Sequence, residues 1–552
     1  MKKKRWGSML LAGLLCFLSA CTAPSVEEAP VEPTGIYQQA VSWDEAQTTP
    51  FGKYPEPVLC TIGRKSRGYP EEQAIQEQVY TYSLFLQDFL NIRFCNAFDV
   101  RSEEDFRQKV SMSIASGDLP DIMTVNAQQL YRLYEEGLIA DLTEAYENCA
   151  SPRIKEIYDS YEGRCLNGAI FDGKLMALPT TEMSHGPGYL WLRKDWLEKL
   201  GLQEPRTMED IEEILRRFVA DDPGNNGPGQ TVGLLCSPQI AGDSSGVYML
   251  NAIFTLYGAF PKQWFRAGSG EIVYGSVQPE MKSALERVAK LYRKRLLDPK
   301  FMLRTEEDCQ NLLAKGISGS FFGNYWSSEL LLDSLRKNPE ADWTPYLVPK
   351  NEEGAVTMFA GNPNSSFIVV RKGFEHPEAA VKLASIQFDY VRDKAPEFTS
   401  ALNQDGMLLN MHIGYDDAFV RSGASIQGAL EEEAPLTSFS AGDTSNYRSV
   451  RSYLDAIDKG EPPNPRDWQT YKSRVEAYNL LIQTPVRKIT PIFVRETDFM
   501  RKHWLDLQNL EQTIFLEIVT GEQSIEAFDS FADQWKQSGG SQITEEVRQV
   551  YG

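Results

Sequence analysis

The stretch from Leu166 to Leu202 reads LNGAIFDGKLMALPTTEMSHGPGYLWLRKDWLEKLGL. Asp172 and Gly173 separate two short apolar runs, and an Asp-Gly pair in that position is typical of a two-residue β-hairpin. Pro179 is expected to end the second strand, because proline cannot donate a ladder hydrogen bond. A loop of small and polar residues follows, and then an apolar strand and the start of a helix. The stretch therefore predicts a hairpin, an extended segment and the beginning of a helix.

The N-terminus has the pattern of an export signal. Four basic residues at 2–5 precede an apolar run from Trp6 to Leu18, which is too short to span a bilayer. The run ends in Leu-Ser-Ala-Cys, which resembles a bacterial lipobox. We therefore expect residues 1–20 to be a lipoprotein signal peptide and Cys21 to carry the lipid that anchors the chain to the outer face of the cell membrane. Ordinary signal cleavage, with Cys21 incidental, is the alternative.

The charge balance of the chain is strongly acidic. The full sequence has 56 Lys+Arg and 77 Asp+Glu, and removal of the four basic residues of the signal leaves 52 against 77, a net charge of −25. Such a chain repels phosphate backbones, so nucleic acid is not expected as a partner. The charge suits a neutral ligand, although solubility at a crowded cell surface would explain it equally well.

Six cysteines remain after residue 21, at positions 60, 95, 149, 165, 236 and 309. None belongs to a CxxC pair, so a structural zinc site is not expected. An exported chain could pair some of them, but sequence does not give the connectivity. A chain of this length can support its core without disulfides.

Residues 21–57 are rich in Pro, Glu, Thr and Ala and are expected to form a flexible tether. The first predicted strand begins at Val58. From there, short apolar strands alternate with amphipathic helical segments, which predicts an α/β architecture.

Several separated motifs resemble a single protein family in their order and spacing. The first motif is Leu166–Leu202, which we call the crossing stretch because it resembles the family's crossover between two lobes. The others are Ala115–Met123 (ASGDLPDIM), Gly137–Thr143 (GLIADLT), Phe254–Trp264, Gly268–Gly275, Pro377–Ala384 (PEAAVKLA) and Phe528–Gly540. With them the chain resembles the family 1 extracellular solute-binding proteins, the two-lobed sugar receptors of ABC importers. The resemblance extends from about Val58 to the C-terminus.

This resemblance implies an α/β fold of the periplasmic-binding-protein type II, with two discontinuous lobes and a hinge. One lobe is expected to comprise residues 58–183 and 359–433, and the other residues 184–358 and 434–552. The implied function is capture of a carbohydrate, an oligosaccharide above all, between the lobes by a monomer. Hinge closure would bury the ligand, and the closed form would dock on the permease of an ABC importer.

Many relatives carry an EF-hand-like calcium loop at the position of residues 222–230 of this chain. Asp222 and Asn226 match its ligand pattern, but Gly224 and Gln230 replace carboxylates. Calcium prefers several hard oxygen ligands, so a weak or absent site is expected and an ordinary turn is the alternative. No other cofactor is expected.

A sugar site needs flat aromatic side chains for the C–H faces and fixed polar groups for the hydroxyls. The aromatic candidates are Trp191, Tyr325, Trp326 and Phe359, and the polar candidates are Asn126, Gln128, Glu182, His185, Arg193 and Asn324. The resemblance places Tyr325 or Trp326 at a sugar-stacking position and Glu182 near a hydroxyl-binding carboxylate. Each aromatic residue also suits a core position, Asn126 and Gln128 suit a helix cap, and Arg193 suits a helix start.

Other function classes have weaker support. None of the four histidines is arranged as a metal pair, and no P-loop occurs, so ATP hydrolysis would reside in another subunit. Gly242-Asp243-Ser244-Ser245-Gly246 matches a nucleophile-elbow pattern, but the preceding Ser-Pro-Gln interrupts the strand that an elbow requires. A peptide-binding receptor is the first alternative. A carboxylate-dependent surface glycosidase and a structural adhesin follow.

Overall fold

The computed structural model describes residues 38–65, 73–184, 186–244, 246–394, 409, 411–431, 439–492, 496–497 and 499–551. The predicted signal peptide (1–20) and the lipidation site Cys21 lie outside these residues, as does His185. Among the described helices, none combines the length and the apolar character that crossing a membrane requires.

The strands of the described part, in chain order, are β1 Val58–Lys65, β2 Ile92–Val100, β3 Ile122–Val125, β4 Ile170–Phe171, β5 Lys174–Leu175, β6 Leu178–Thr181, β7 Tyr189–Arg193, β8 Val232–Leu235, β9 Trp264–Arg266, β10 Ile272–Tyr274, β11 Ser318–Gly323, β12 Trp343–Tyr346, β13 Val356–Phe359, β14 Asn364–Val370 and β15 Val486–Ile489.

The α-helices of the same residues are Trp43–Thr48, Gln73–Leu90, Glu103–Ser116, Ala127–Glu135, Thr143–Cys149, Pro152–Asp159, Arg164–Asn167, Lys194–Leu200, Met208–Asp221, Asn251–Leu256, Pro279–Arg293, Glu306–Ala314, Leu332–Lys337, Glu378–Ser385, Val391–Lys394, Ala418–Leu430, Ala441–Asp458, Pro465–Tyr471, Ala477–Gln483, Met500–Thr520, Ala527–Trp535 and Ser541–Tyr551.

Two main sheets form the centres of two lobes. The first-lobe sheet has the strand order β2-β1-β3-β14-β6, in which β1 runs parallel to β2 and β3 while β14 is antiparallel to its neighbours. The second-lobe sheet has the order β12-β7-β11-β8, with β7 antiparallel to β11 and β12. Every residue of β3, β7, β8 and β11 is buried, as expected for strands that are covered on both faces. The predicted α/β, two-lobed fold is confirmed.

Each lobe has its own hydrophobic core. The first core combines buried residues between positions 46 and 178 with others between 367 and 413. The second lobe contains two clusters, which draw on residues 189–356 and on positions 419–547 near the C-terminus. Both lobes are therefore discontinuous in sequence, because the chain crosses between them several times.

Part of the predicted tether is folded. Residues 42–54 contain the helix Trp43–Thr48, and Ala46 and Tyr54 are fully buried in the first core. The ammonium group of Lys382 binds this segment by donating hydrogen bonds to the carbonyl oxygens of Ala46, Thr49 and Gly52, at 2.6–2.8 Å. The prediction of a flexible tether up to residue 57 is wrong for this segment. A few apolar residues are enough to fold it onto the first lobe, because the distant Lys382 supplies hydrogen bonds to its backbone.

The helix Ala418–Leu430 also differs from its predicted assignment to the first lobe. Phe419 stacks on Tyr325, with ring centroids 3.8 Å apart and planes at 9°. Ile426 packs with Val450 and Val475, which belong to the C-terminal helices on the second lobe. The helix therefore lies against the second lobe, and only these tertiary contacts determine its place.

The crossing stretch contains the predicted hairpin. β4 and β5 are antiparallel, and Asp172 and Gly173 between them have φ of 48° and 76°, as the two central residues of a type I′ turn require. Pro179, however, does not end a strand but lies within β6, opposite Phe367 of β14. β6 is an edge strand, and an edge strand tolerates the missing donor. The six cysteines after residue 21 are all free thiols.

Candidate functional site

Three chain segments run side by side where the lobes meet. They are the first crossing at 182–188, the second crossing that ends at Pro363, and residues 411–417. The backbone amide of Thr181 donates to the carbonyl of His412 (2.8 Å), and that of Glu182 donates to the carbonyl of Pro363 (2.7 Å). β13 of the second crossing also pairs in parallel with β15. These hydrogen bonds fix the crossings relative to one another.

A cavity of about 250 Å³ opens beside the crossings. Its described lining residues are Glu182, Met183, Ser184, Gly186, Asp243, Ser244, Ala360, Gly361, Asn362, Pro363 and Asp416. Residues 243–244 come from a second-lobe loop, and the others come from the crossings. The cavity is near the lower end of the volumes of ligand pockets, which are roughly 300–1,000 Å³. Polar and small side chains dominate, and no described lining residue is aromatic.

Asp416 connects the elements around this cavity. Its carboxylate lies 3.2 Å from Arg164 of the first lobe and 3.2 Å from Lys488 of β15. The backbone amide of Ser184 donates to the same carboxylate and to the Asp416 carbonyl. Asp416 is buried, so removal of its charge would leave the two cations without their shared partner.

The loop after β8 is held in shape by Asn251. The Asn251 amide nitrogen donates to the carbonyls of Gly242 and Ser244, and its side-chain oxygen accepts from the Gly242 amide. Ser244 reaches the second crossing, where a Cβ added at Gly361 would lie 3.1 Å from the Cβ of Ser244. In the described part of the Gly-x-Ser-x-Gly segment, Asp243 and Ser244 line the cavity. The segment does not lead from strand to helix as a nucleophile elbow would, since the next helix begins only at Asn251.

The lobes touch at a second place, which we call the interlobe contact and define as Gln128 and Tyr131 of the first lobe with Glu496 and Arg501 of the second. The Gln128 amide donates to the Glu496 carboxylate (3.3 Å), and the Arg501 guanidinium carbon lies 3.6 Å from the centre of the Tyr131 ring. Such a cation–π contact stabilises by about 0.5–2 kcal/mol. Protein side chains therefore join the two lobes directly at the interlobe contact, whereas the cavity is open.

The predicted polar residues do not form one site in the structure. Glu182 is exposed and lines the cavity. Asn126 caps the helix Ala127–Glu135 through a capping box with Gln129, and Gln128 belongs to the interlobe contact. His185 lies outside the described residues. Of the polar set with described positions, only Glu182 is brought to the cavity.

The remaining predicted residues lie mostly in the second-lobe core. Trp191 is fully buried, and its indole donates to the carbonyl of Asn324, which is itself buried. Arg193 is 3% exposed and is held by Asp195 and by the rings of Trp196 and Trp343. These positions correct the assignment of Trp191, Arg193 and Asn324 to a ligand surface, because all three side chains are buried in the protein.

Tyr325 lies directly behind the cavity wall. It is 4% exposed, stacks on Phe419, and its hydroxyl is 3.8 Å from the sulfur of Met183, a lining residue. Its neighbour Trp326 is half-buried against the same core cluster. Phe359 is the last residue of β13. Tyr325 and Trp326 are not among the described residues that line the cavity, and the side chain of Phe359 lies outside the described part of the chain.

In the loop at 222–231 both candidate metal ligands, Asp222 and Asn226, take part in hydrogen bonds within the protein. The Asp222 carboxylate accepts hydrogen bonds from the amides of Asn226 and Gly227 and from the Thr231 hydroxyl. Partial burial raises the pKa of Asp222, but these donors together lower it below its usual value. The Asn226 side chain uses its nitrogen to donate to Thr231 and Gly316. Within the described residues, no group of three or more His, Cys, Asp or Glu is placed to hold a metal ion.

Sequence reasoning missed Asp243, Ser244, Asn362 and Asp416 as lining residues. Asp243 and Ser244 belong to the loop after β8. Ligands often bind beyond the carboxyl ends of strands, so the position of this loop could have indicated lining residues. Asn362 comes three residues after the end of β13 and belongs to the second crossing. Asp416 carried none, since only the packing of distant segments brings it to the crossings.

The fold and the cavity together define a class of protein, the two-lobed binding proteins. Several chain crossings join the two lobes, and the candidate site lies beside these crossings. The family model of bacterial extracellular solute-binding proteins matches residues 98–386, more than half of the chain. The chain belongs to this family of binding proteins.

Individual relatives are distant but cover most of the chain. The polygalacturonan/rhamnogalacturonan-binding protein YtcQ of Bacillus subtilis is 21% identical over 451 residues, which are 80% of this chain and 82% of that protein. The structure is similar to an HMO-binding solute-binding protein of Bifidobacterium longum infantis, with a TM-score of 0.61, 14% identity and coverage of 90% and 99% of the two chains.

A third similar structure is the Streptococcus pneumoniae substrate-binding protein FusA in complex with kestose. It has a TM-score of 0.58 and 14% identity, and the match covers 89% of this chain and 98% of that chain. At these identities the structural likeness establishes the fold.

Proposed function

We propose that this protein is an extracytoplasmic receptor that captures an oligosaccharide between its two lobes and delivers it to the permease of an ABC importer. The observation that carries the proposal is the cavity at the crossings, which is lined by both the second-lobe loop and the hinge segments. A ligand there would contact the second lobe and the segments that join the two lobes. Its binding free energy can therefore favour a closed arrangement of the lobes.

The chemistry of the lining suits a carbohydrate. Carboxylates, a serine hydroxyl and an asparagine amide supply acceptors and donors for sugar hydroxyls. The relatives named above bind a polygalacturonan, HMO or kestose according to their descriptions. Their shared ligand class supports the same class here.

The membrane attachment and the assembly state belong to the same proposal. Cys21 would carry the lipid anchor, and the chain would act as a monomer without a metal or other cofactor and without catalysis. The folded segment at 42–54 supports the anchor, because it attaches the chain that follows Cys21 to the first lobe. Labelled-lipid incorporation that is lost in Cys21→Ser tests the anchor.

The binding proposal is tested with the mature chain carrying Cys21→Ser. Thermal unfolding and calorimetric titration would be measured with kestose, milk oligosaccharides, oligogalacturonides and short peptides. A ligand at a hundredfold excess over its dissociation constant adds about 2.7 kcal/mol of stability. The sugar is then recovered, and it should be chemically unchanged.

A matched pair of variants locates the site. Ser244→Trp should fill the cavity and abolish binding while the unfolding midpoint stays close to that of the parent. Ser269→Trp, at an exposed turn between β9 and β10, should bind normally. Binding of peptides alone would establish the peptide receptor instead, and cleavage of the sugar would establish a glycosidase.

A further inference from the structure

One loop of the second lobe reverses the charge of this acidic chain. Residues 293–304, which we call the basic loop, contain five Lys or Arg residues and one acid, Asp298, a net charge of +4, whereas the full sequence has a net charge of −21. Arg293, Arg295 and Lys300 are exposed, and none of them forms an ion pair with another described residue. These cations are therefore available to an anionic partner.

Contacts within the second lobe fix the basic loop in shape. The backbone amide of Leu234 in β8 donates to the Leu296 carbonyl (2.7 Å), and the Asp298 amide donates back to the Leu234 carbonyl (3.0 Å). The Asp298 side chain is fully buried and binds the Arg304 guanidinium at 2.6 Å. The loop thus extends the edge of the second-lobe sheet, and little conformational entropy remains to be lost when it meets a partner.

The tip of the basic loop presents two apolar side chains to solvent. Phe301 is buried, and its ring meets that of Tyr292 edge to face with centroids 5.6 Å apart. The Tyr292 hydroxyl also donates to the Pro299 carbonyl (3.4 Å), so the end of the preceding helix lies beside the tip. Met302 and Leu303 follow directly and are 42% and 80% exposed, which makes Leu303 the most exposed large apolar side chain of the described residues.

Exposed apolar side chains among cations suit the surface of an anionic bilayer. The apolar groups enter the boundary between headgroups and acyl chains, and the cations meet the headgroup charges. A soluble polyanion would engage the cations but would leave Met302 and Leu303 in water. The next helix begins with three acids, Glu306, Glu307 and Asp308, which weaken the attraction. The contact is therefore expected to be weak when the loop acts alone.

We propose that the basic loop rests on the anionic lipid surface of the membrane to which the chain is anchored, with Met302 and Leu303 at the level of the headgroups. This inference rests on the proposed lipid anchor, because an anchor raises the effective concentration of lipid and makes a weak contact sufficient. Gln38 lies 17 positions after Cys21, and such a length of chain spans at most about 60 Å. This reach is about twice the diameter of a small domain, so the second lobe can meet the bilayer.

A fluorescent label at the tip tests the contact. The lipidated protein with Leu303→Cys would carry an environment-sensitive fluorophore in vesicles of phosphatidylglycerol and phosphatidylcholine that contain a nitroxide quencher near the headgroups. Emission should shift to shorter wavelength, and quenching should be several-fold stronger than for the same label at Met112→Cys, an exposed apolar position of the first lobe. Soluble polyphosphate without vesicles should leave the emission unchanged. Dye-treated parent protein gives the background from the native thiols.

Charge variants test the role of the cations without the anchor. The soluble Cys21→Ser chain should sediment with anionic vesicles at low salt and much less with neutral ones. The triple variant Arg293→Gln, Arg295→Gln and Lys300→Gln should lower its vesicle affinity by roughly tenfold or more, and added salt should do the same. The control triple variant changes three exposed lysines elsewhere and should keep the parent affinity. It consists of Lys109→Gln, Lys459→Gln and Lys536→Gln.

The outcomes separate the loop contact from the proposed function. Equal quenching at positions 303 and 112, or equal vesicle affinity of the two triple variants, would overturn the contact. Quenching that appears only when permease subunits are present would also overturn it, because the partner would then be a protein. Oligosaccharide binding by the triple variant should match that of the parent, so the receptor function is judged separately. If labelled lipid is not incorporated, the anchor fails, and sedimentation of the soluble chain decides the loop contact.

Discussion

The two lobes stabilise a fully buried ionisable side chain in opposite ways. In the first lobe the ammonium of Lys382 donates to three backbone carbonyls and lies 5.1 Å from the centre of the Tyr54 ring. In the second lobe Glu511 accepts a hydrogen bond from the Tyr274 hydroxyl at 2.8 Å, within a cluster of Trp and Tyr rings. Burial lowers the pKa of Lys382 to about 8 and raises that of Glu511.

This difference shows what each group does. Lys382 stays charged at neutral pH and joins a remote N-terminal segment to the first lobe, because three carbonyl oxygens converge on one ammonium. Burial raises the pKa of Glu511 and so favours its protonated form, and Glu511 meets the Tyr274 hydroxyl within an aromatic core. A buried charge can thus organise a chain segment only where enough hydrogen-bonding partners surround it.

The largest expected effect comes from Lys382→Met, which removes the cation and leaves three carbonyls without their donor. Loss of one member of a buried charged network typically costs about 3–5 kcal/mol, and we expect the midpoint of first-lobe unfolding to fall by about 10 °C. The matched control Lys109→Met, on the exposed face of the helix Glu103–Ser116, should be close to neutral.

The two lobes can be followed separately in that experiment. Eight of the ten tryptophans lie in the second lobe: Trp191, Trp196, Trp264, Trp326, Trp343, Trp468, Trp504 and Trp535. Calorimetry reports both lobes, so Lys382→Met should shift the calorimetric onset further than the fluorescence midpoint. A loss below about 1 kcal/mol would contradict the assigned role of Lys382.

Asp222 offers a second-lobe counterpart, since one carboxylate gathers two amides and a hydroxyl. It is only partly buried, so Asp222→Ala should cost less than Lys382→Met, about 2 kcal/mol. Because the loop donors occupy the carboxylate, addition of EDTA or calcium should leave the parent midpoint unchanged. A calcium-dependent rise in the midpoint would show that the loop rearranges around a cation.

Arg501→Ala probes the surface between the lobes. It removes the cation–π contact with Tyr131, which we expect to stabilise the interlobe contact by about 1 kcal/mol. If the interlobe contact favours the closed arrangement, oligosaccharide affinity should fall by about fivefold while the unfolding of each lobe changes little. The control is Arg466→Ala, which lies at the exposed start of the helix Pro465–Tyr471. Unchanged affinity in Arg501→Ala would show that the contact does not bias closure.

The smallest effect is expected from Glu511→Gln, which keeps an acceptor for Tyr274. The folded-state pKa of Glu511 is raised, so the parent loses stability as pH rises above about 4.3, where the unfolded chain ionises. Glutamine does not titrate. The variant should match the parent at pH 4 and exceed it at pH 8 by on the order of 1 kcal/mol, as read from midpoints at several pH values. Parallel pH profiles for the two proteins would contradict this.

Local patterns predicted the local elements well. The Asp172-Gly173 hairpin occurs as predicted, because a two-residue turn depends on neighbours within a few residues. The candidate site was predicted poorly. Trp191 and Arg193 lie on a strand whose two faces are both covered, and sequence does not show that the second face is covered.

The sequence by itself determined the α/β class, since hydrophobic periodicity and turn chemistry act over short distances. The two-lobed fold and the place of the first crossing were implied by the resemblance of its motifs to one family. Only the tertiary structure decided which residues line the cavity. Asp416 meets Arg164 and Lys488 across separations of 252 and 72 residues, and Lys382 meets Ala46 across 336. Contacts over such distances depend on the packing of whole lobes, which no local pattern contains.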